Sequence, residues 1–468
     1  MSAPRTRPGE ETWPGEWVAE RLGVRLADGG GHAGAGLADL VGLAVRRNPR
    51  RAHLLVSAVL GKHVPTDPRL VYGSGLLLGV LVRERLTGER PGVPADALTD
   101  ALRGTRTGAA AALRDAAGEP RAPLDAVVVG YAETATSLGH SVADALGGAY
   151  YLHSTRRPVP GFATYGGFEE EHSHATSHLL LPADPGELDR DVPLVLVDDE
   201  LSTGRTVLNT IRALHAVRPR AHYVIAALVD LRADGDRART RALGEELGVR
   251  VDTVALAQGN VELPDDILEA GQALVAEVLA GEQEQPLLPQ ERVTRVDLEW
   301  PEGLPDGGRH GFLPAHREHL EKALPAMAGL LVPHITRGRA LVLGFEELMY
   351  APLRLAEALA DALPDVDVRY STTTRSPVLA VDDPGYAIRT RLAFPAHDDP
   401  ADGPGERYAY NVAPGTDPGR AFDTIVLVVD GAGDTPALAH GLLARLSALA
   451  PVVVAAVPSF RRRGMGDT

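Results

Sequence analysis

"LVLVDDELSTGRT" spans Leu194 to Thr206. Four apolar residues run into two carboxylates. A short polar turn with one glycine follows, and then a helical pattern. An apolar run bounded by turn residues is the pattern of a buried strand. In open α/β sheets ligands collect beyond the carboxyl ends of strands, which is where Asp198 and Asp199 stand. Free N–H groups at the start of the following helix favour an anion. Hydroxyls of Ser202, Thr203 and Thr206 add donors, and Gly204 lets the backbone approach closely. A carboxylate pair beside a phosphate cradle suits one ligand bearing both a phosphate and vicinal hydroxyls. The alternative is a capped helix after a strand, with an acidic turn of no further consequence.

The same alternation runs outward from this stretch. Strand patterns recur at 125–130, 192–199, 222–230 and 249–257, with helical patterns at 136–146, 206–217 and 237–247 between them. Alternating strands and helices predict a largely parallel sheet with crossover helices. Residues 37–60 have a helical pattern interrupted at "RRNPRR", and 85–122 predict a loose-ended helix. Residues 281–335 are rich in Pro, Gly and charge and predict a linker. Beyond it the alternation resumes at 339–345, 346–362, 365–372, 422–431, 435–449 and 451–459. The expected organisation is a flexible arm over 1–36, an α/β domain over 37–280, a linker over 281–335, a smaller Rossmann-like α/β domain over 336–460, and a tail over 461–468.

Composition narrows the chemistry. The chain has 468 residues, 44% hydrophobic, with 47 basic against 63 acidic side chains and a net charge of -16. That balance disfavours a nucleic-acid or anionic-membrane partner. There is no cysteine, which excludes disulfides, thiol nucleophiles and Cys-ligated metals. No apolar run approaches the roughly 20 residues of a spanning helix, and the N-terminal residues lack the apolar core of a signal peptide. A cytoplasmic protein is expected. Lys62 and Lys322 are the only lysines among many arginines.

The segment Val197-Asp198-Asp199-Glu200-Leu201-Ser202-Thr203-Gly204-Arg205-Thr206 resembles the 5-phosphoribosyl 1-pyrophosphate (PRPP) motif of type I phosphoribosyltransferases. The resemblance implies a parallel-sheet fold of that type. It also implies glycosyl (pentosyl) transfer from PRPP with Mg²⁺ carried on PRPP, and no metal ligated by the protein directly. Asp198 and Asp199 would act on the ribose, and Glu200 to Thr206 would hold the 5′-phosphate. Ser202 stands where relatives that use 6-oxopurines carry an Asp, so the pattern is closer to orotate or adenine enzymes, and the orotate-like branch is favoured. The partners implied are PRPP and a small nucleobase-like acceptor, and the resemblance also admits a homodimer. A non-catalytic PRPP or nucleotide-binding regulator, and an enzyme running nucleotide pyrophosphorolysis, are the alternatives.

Other segments fit the same resemblance. Tyr131, Ala132, Glu133 and Thr134, after the strand ending at Gly130, match the position of a pyrophosphate loop, with Thr136 and Ser137 as further donors; an ordinary strand-to-helix turn is the alternative. The long stretch from Tyr151 to Pro182 has the length of a lid, in which Arg156 and Arg157 would meet pyrophosphate charge. "EEEHSHATSH" (169–178) resembles a signature of a bacterial subgroup associated with stress and tellurium resistance. The resemblance suggests a catalytic or base-recognition role for His172 and His174. On a helix His174 and His178 would share one face, which also admits a metal. "RRNPRRAHLLVSAVLGKHVPTDP" (46–68) resembles a stretch of the same subgroup, with Lys62 and His63 as ligand-facing residues; a solvated helix end is the alternative. The C-terminal part resembles the TRSP domain that follows the transferase there, on Thr373-Thr374-Arg375-Ser376-Pro377 and "LGFEELMYAP" (343–352). Thr373, Thr374, Arg375 and Ser376, with Asp430 at the end of another strand, form an expected second ligand site. The alternative is that Arg375 pairs with an acidic neighbour.

Overall fold

The computed structural model describes residues 12–31, 34–48, 51–90, 92–157, 159–169, 177–281, 292–397 and 405–460. The N-terminal unit begins with α1 (Glu16–Leu22), β1 (Arg25–Gly31) and α2 (Leu37–Leu40). A hairpin of β2 (Val41–Asn48) and β3 (Arg51–Ser57) precedes α3 (Pro68–Thr87), α4 (Ala97–Arg103) and α5 (Ala109–Ala117). Then come β4 (Val127–Gly130), α6 (Thr136–Leu146), β5 (Tyr150–His153), β6 (Gly166–Glu169) and β7 (Ser177–Leu180). The unit closes with β8 (Leu194–Leu201), α7 (Arg205–Val217), β9 (His222–Asp230), α8 (Asp234–Leu247), β10 (Arg250–Glu262) and α9 (Ile267–Gly281). The sheet order is β1-β10-β9-β8-β4-β5. Its strands are parallel except β1, which runs antiparallel to β10. The order reverses between β4 and β8, and such a switch point opens a crevice at the strands' carboxyl ends.

The C-terminal unit contains β11 (Val293–Val296), α10 (Pro314–Leu331), β12 (Gly338–Gly344), α11 (Tyr350–Ala362) and β13 (Val366–Thr372). A hairpin of β14 (Arg391–Pro395) and β15 (Glu406–Tyr410), then β16 (Thr424–Asp430) and β17 (Val452–Val457), complete it. Its sheet is parallel in the order β11-β17-β16-β12-β13. Both units are thus α/β with mostly parallel sheets. No helix of the described residues is long and apolar enough to cross a membrane.

One apolar core runs through both units, joining Tyr72, Leu76 and Leu113 to Leu353, Leu359 and Tyr370. Asp144 sits in this contact. It accepts from Tyr72 Oη at 2.9 Å and from Tyr350 Oη at 2.7 Å, and lies 3.3 Å from Arg317. A buried polar group costs free energy unless it is hydrogen-bonded or paired, and these partners supply both.

Four local expectations are corrected. Residues 41–57 form a hairpin, not a helix, because 51–57 alternate strictly between buried and half-exposed positions, a period of two. Residues 16–31 are no arm: α1 buries Val18 and Leu22, and β1 edges the first sheet. The 281–335 linker holds β11 of the second sheet and the two-faced helix α10, which buries Leu320, Leu324 and Met327. Pro301, Gly303, Pro305 and Gly307 lie in the loop between these two elements. Similarly, 85–122 is split among the end of α3, α4 and α5, with Gly88 and Gly104 in left-handed caps.

Candidate active site

A cleft of about 390 Å³ opens at the carboxyl ends of β4 and β8. Its floor is the acidic end of β8. Asp198 Oδ1 accepts from the Asp199 N–H at 3.0 Å. Burial and the negative charge of Asp199 hold the Asp198 carboxyl well above its usual range. Glu200 is also raised, by burial and by Asp199, against the opposing pull of Arg51, Arg46 and Lys62. Arg51 lies 3.8 Å from Glu200.

The turn beyond is Ser202 to Gly204, and α7 begins at Arg205. Gly204 has φ +71, and a Cβ there would meet Arg232 Cδ at 3.0 Å. Arg232 is itself fixed by Asp230, Nε to Oδ1, at 2.9 Å. Only glycine suits both the left-handed conformation and the close approach. Glu200 and Leu201 still belong to the strand, and Leu201 is buried with its carbonyl accepting from the Leu231 N–H at 2.9 Å. All of Glu200 to Thr206 line the cleft, Glu200 and Leu201 from the strand end and Ser202 to Thr206 from the turn and the start of α7.

The turn after β4 forms the adjacent wall. Tyr131, Ala132, Glu133 and Thr134 all line the cleft, and the Ala132–Glu133 peptide is cis. The Ala132 N–H donates to Ser154 Oγ at 3.0 Å, and Ser154 Oγ is 2.9 Å from His178 Nδ1. Thr136 and Ser137 are buried in the first turn of α6. Lys62 Nζ donates to Thr134 Oγ1 at 2.8 Å and lies 4.0 Å from Glu133. Gly61 before it has φ +68 and packs on the ring of Tyr370, which leaves no room for a Cβ. His63 also lines the cleft, its carbonyl accepting from Asn411 Nδ2 at 2.9 Å. Burial, Lys62 and Arg46 lower the His63 pKa well below the usual histidine value, so its ring is neutral near pH 7.

The remaining expected residues divide. Arg156 lines the cleft. Arg157 instead reaches Glu346, Nη2 to Oε2, at 3.0 Å, because that fully buried carboxylate requires cations around it. His172 and His174 lie outside the described residues. His178 lies on β7, paired with Phe168, so the helical spacing with His174 does not apply at that end. Arg46, Asn48 and Ser154 were not foreseen as lining or supporting the cleft, and Glu346 lies in the 343–352 segment without any sign there of the arginines that surround it.

Among the described residues, those expected to form a second site in the C-terminal unit do not share one crevice. Thr374, Arg375 and Ser376 line the cleft of the N-terminal unit. Thr373 is buried, its Oγ1 accepting from the Glu346 N–H at 3.1 Å. Asp430 is buried elsewhere, 3.6 Å from Arg309. The reason is topological: β12 separates β13 from β16, so the two strand ends are not neighbours.

Residues 40–260 match the family model described as phosphoribosyl transferase, and residues 306–446 match the TRSP domain found C-terminal to it. The chain carries a phosphoribosyltransferase domain joined to a TRSP domain. The cleft lies in the phosphoribosyltransferase domain, and the TRSP domain contributes part of its rim. Among solved structures, the chain is similar to adenine phosphoribosyltransferase from Trypanosoma brucei in complex with AMP, pyrophosphate and ribose-5-phosphate. That match has 18% identity and a TM-score of 0.22, over 29% of this chain and 58% of that one. The chain thus spans little more than half the length of that relative. It is also similar to the adenine enzymes of Rhodothermus marinus (16% identity, TM-score 0.25) and Saccharomyces cerevisiae (13%, 0.26), each over 47% of this chain and 96% of that one. No curated protein sequence matches the chain.

The donor set fits magnesium carried on a phosphorylated ligand. Among the described residues no three His, Asp or Glu side chains converge as a metal cage. Asp198 and Asp199 nevertheless offer two hard oxygen donors whose repulsion a cation would relieve, and magnesium commonly binds through one or two carboxylates plus phosphates.

Proposed function

We propose that the chain transfers a 5-phosphoribosyl group from PRPP to a ring nitrogen of a nucleobase-like acceptor, with release of pyrophosphate. The observation that carries this reading is the convergence, in one cleft, of the acidic pair 198–199, the cradle 202–206 and the turn 131–134. The 5′-phosphate sits in the cradle, held by N–H groups at the start of α7 and by the hydroxyls of Ser202, Thr203 and Thr206. Asp198 and Asp199 accept from the ribose hydroxyls. As the anomeric C–O bond lengthens, positive charge grows on the sugar, and these carboxylates oppose it at a fixed position. Asp198 and Asp199 would face magnesium carried on PRPP, which when bound would neutralise charge on the pyrophosphate. Lys62 and the turn after β4 hold the pyrophosphate end, and the neutral His63 ring borders the cleft without adding charge.

The test is incubation of the full-length chain with PRPP, Mg²⁺ and a panel of purine and pyrimidine bases, followed by mass spectrometry. The reading predicts one new nucleotide mass with stoichiometric pyrophosphate. Absence of both with every base, in a chain that binds PRPP, would leave a binding role instead.

A further inference from the structure

The cleft of the phosphoribosyltransferase domain is incomplete without the TRSP domain. Arg375 Nε lies 3.2 Å from Glu133 Oε1, in the turn after β4. From the other side Lys62 holds Thr134 of the same turn. One nearly buried carboxylate, Glu133, is therefore flanked by two cations that arrive from different parts of the chain.

Arg375 is held firmly. Its Nη2 is 2.6 Å from Glu346, whose fully buried carboxylate also takes Arg407 at 2.6 Å and Arg157 at 3.0 Å. The preceding residue, Thr374, exchanges backbone hydrogen bonds with Tyr408 at 2.9 and 2.8 Å. The Pro377 carbonyl accepts from the Arg47 N–H at 3.1 Å, and the Leu379 N–H donates to Val45 O at 2.9 Å. The stretch is thus stitched to the β2–β3 hairpin, which forms another wall of the cleft. An interdomain ion pair alone does not require a cleft-lining guanidinium with part of its surface exposed.

The geometry points to Arg375 as a ligand-binding residue of the phosphoribosyl site, through which the TRSP domain grips the pyrophosphate group of PRPP. This rests on the phosphoribosyl transfer proposed above. Neighbouring parallel strands lie about 4.8 Å apart. A ligand with its 5′-phosphate in the cradle after β8 and its ribose at Asp198 and Asp199 therefore carries its anomeric substituent toward the turn after β4. That turn is where Arg375 and Lys62 meet. A guanidinium has donors on more than one edge, so it can hold Glu346 through Nε and Nη2 and still donate to a phosphate oxygen. In the free protein Glu133 and Glu346 neutralise it, and pyrophosphate oxygens replace Glu133 as a partner of the guanidinium while Glu346 keeps its hold. Charge moves between partners and no bond is made or broken.

The experiment is calorimetric titration of the full-length chain, with Mg²⁺, using three probes: PRPP, inorganic pyrophosphate and ribose 5-phosphate. Arg375→Ala should weaken PRPP and pyrophosphate at least tenfold and leave ribose 5-phosphate within twofold of the parent. Retained ribose 5-phosphate binding also reports that the variant is folded. Arg375→Lys, which keeps the charge and loses the fork, should fall between the two; it serves alone if the alanine variant does not fold. Unchanged pyrophosphate and PRPP affinity in the folded variant, or equal weakening of all three probes, overturns the assignment. If the parent chain binds none of the three, the assignment falls together with the proposed function.

Discussion

Lys62 Nζ donates to Thr134 Oγ1 at 2.8 Å, tying the segment after β3 to the turn after β4. One of only two lysines in the chain is thereby brought against the acidic end of the sheet, where it also offsets charge on Glu200. Its replacement by Met keeps the apolar stem and removes the ammonium. PRPP affinity should fall at least tenfold, about 1.4 kcal/mol, with little change in unfolding free energy. Calorimetry and urea denaturation on the same sample separate the two effects.

Asp198 sets function against stability. Its raised pKa means that, with no cation or ligand in the cleft, the folded chain keeps a proton which the unfolded chain has already released. Stability therefore falls as pH rises from the ordinary carboxylate range through the folded value. Asp198→Asn cannot ionise. It should melt above the parent at about pH 8 and match it at about pH 3, where both side chains are neutral. Turnover of PRPP should meanwhile fall at least tenfold, about 1.4 kcal/mol in the barrier. A variant that melts below the parent throughout would refute the charge argument.

Gly204→Val probes the cradle. A β-branched residue at φ +71 is strained, by about 1–2 kcal/mol, and its Cβ would press on Arg232. Ribose 5-phosphate binding should disappear while the circular dichroism spectrum is retained. Wild-type affinity would remove the cradle from the phosphate site.

Much of this was legible in the sequence, and the failures share a cause. The strands β4, β8, β9 and β16 and the helix α6 announce themselves through local period and turn residues, and so does the cradle. The β2–β3 hairpin did not, because Leu43, Val45 and Val56 are apolar toward α1 and toward Val378 and Tyr386 of the C-terminal domain. Continuous burial over Val41 to Val45 erases the alternation in β2, and β3 alone, although it alternates, is too short to announce the hairpin. Arg375 carries a recognisable motif, yet its approach to Glu133 spans more than two hundred residues of chain. No local pattern encodes that contact. Glu346 is less legible still, since an acidic residue beside Glu347 carries no sign that three arginines will surround it.

Glu346→Gln tests that cluster. Removing the charge takes from Arg157, Arg375 and Arg407 the buried counter-charge they share. Breaking a buried charge cluster from one side costs about 3–5 kcal/mol. The unfolding free energy in urea should drop by that order. A loss below about 1 kcal/mol would mean the arginines re-pair at no cost, contrary to the burial of the site.

The most direct test is equilibrium titration of the full-length chain with PRPP in the presence of Mg²⁺, in parallel with the Asp198→Asn/Asp199→Asn double variant. Saturable binding at one site per chain, competed by ribose 5-phosphate and weakened at least tenfold in the double variant, is the predicted result. No binding to the parent chain, or equal affinity in the two proteins, would contradict a phosphoribosyl site at the end of β8.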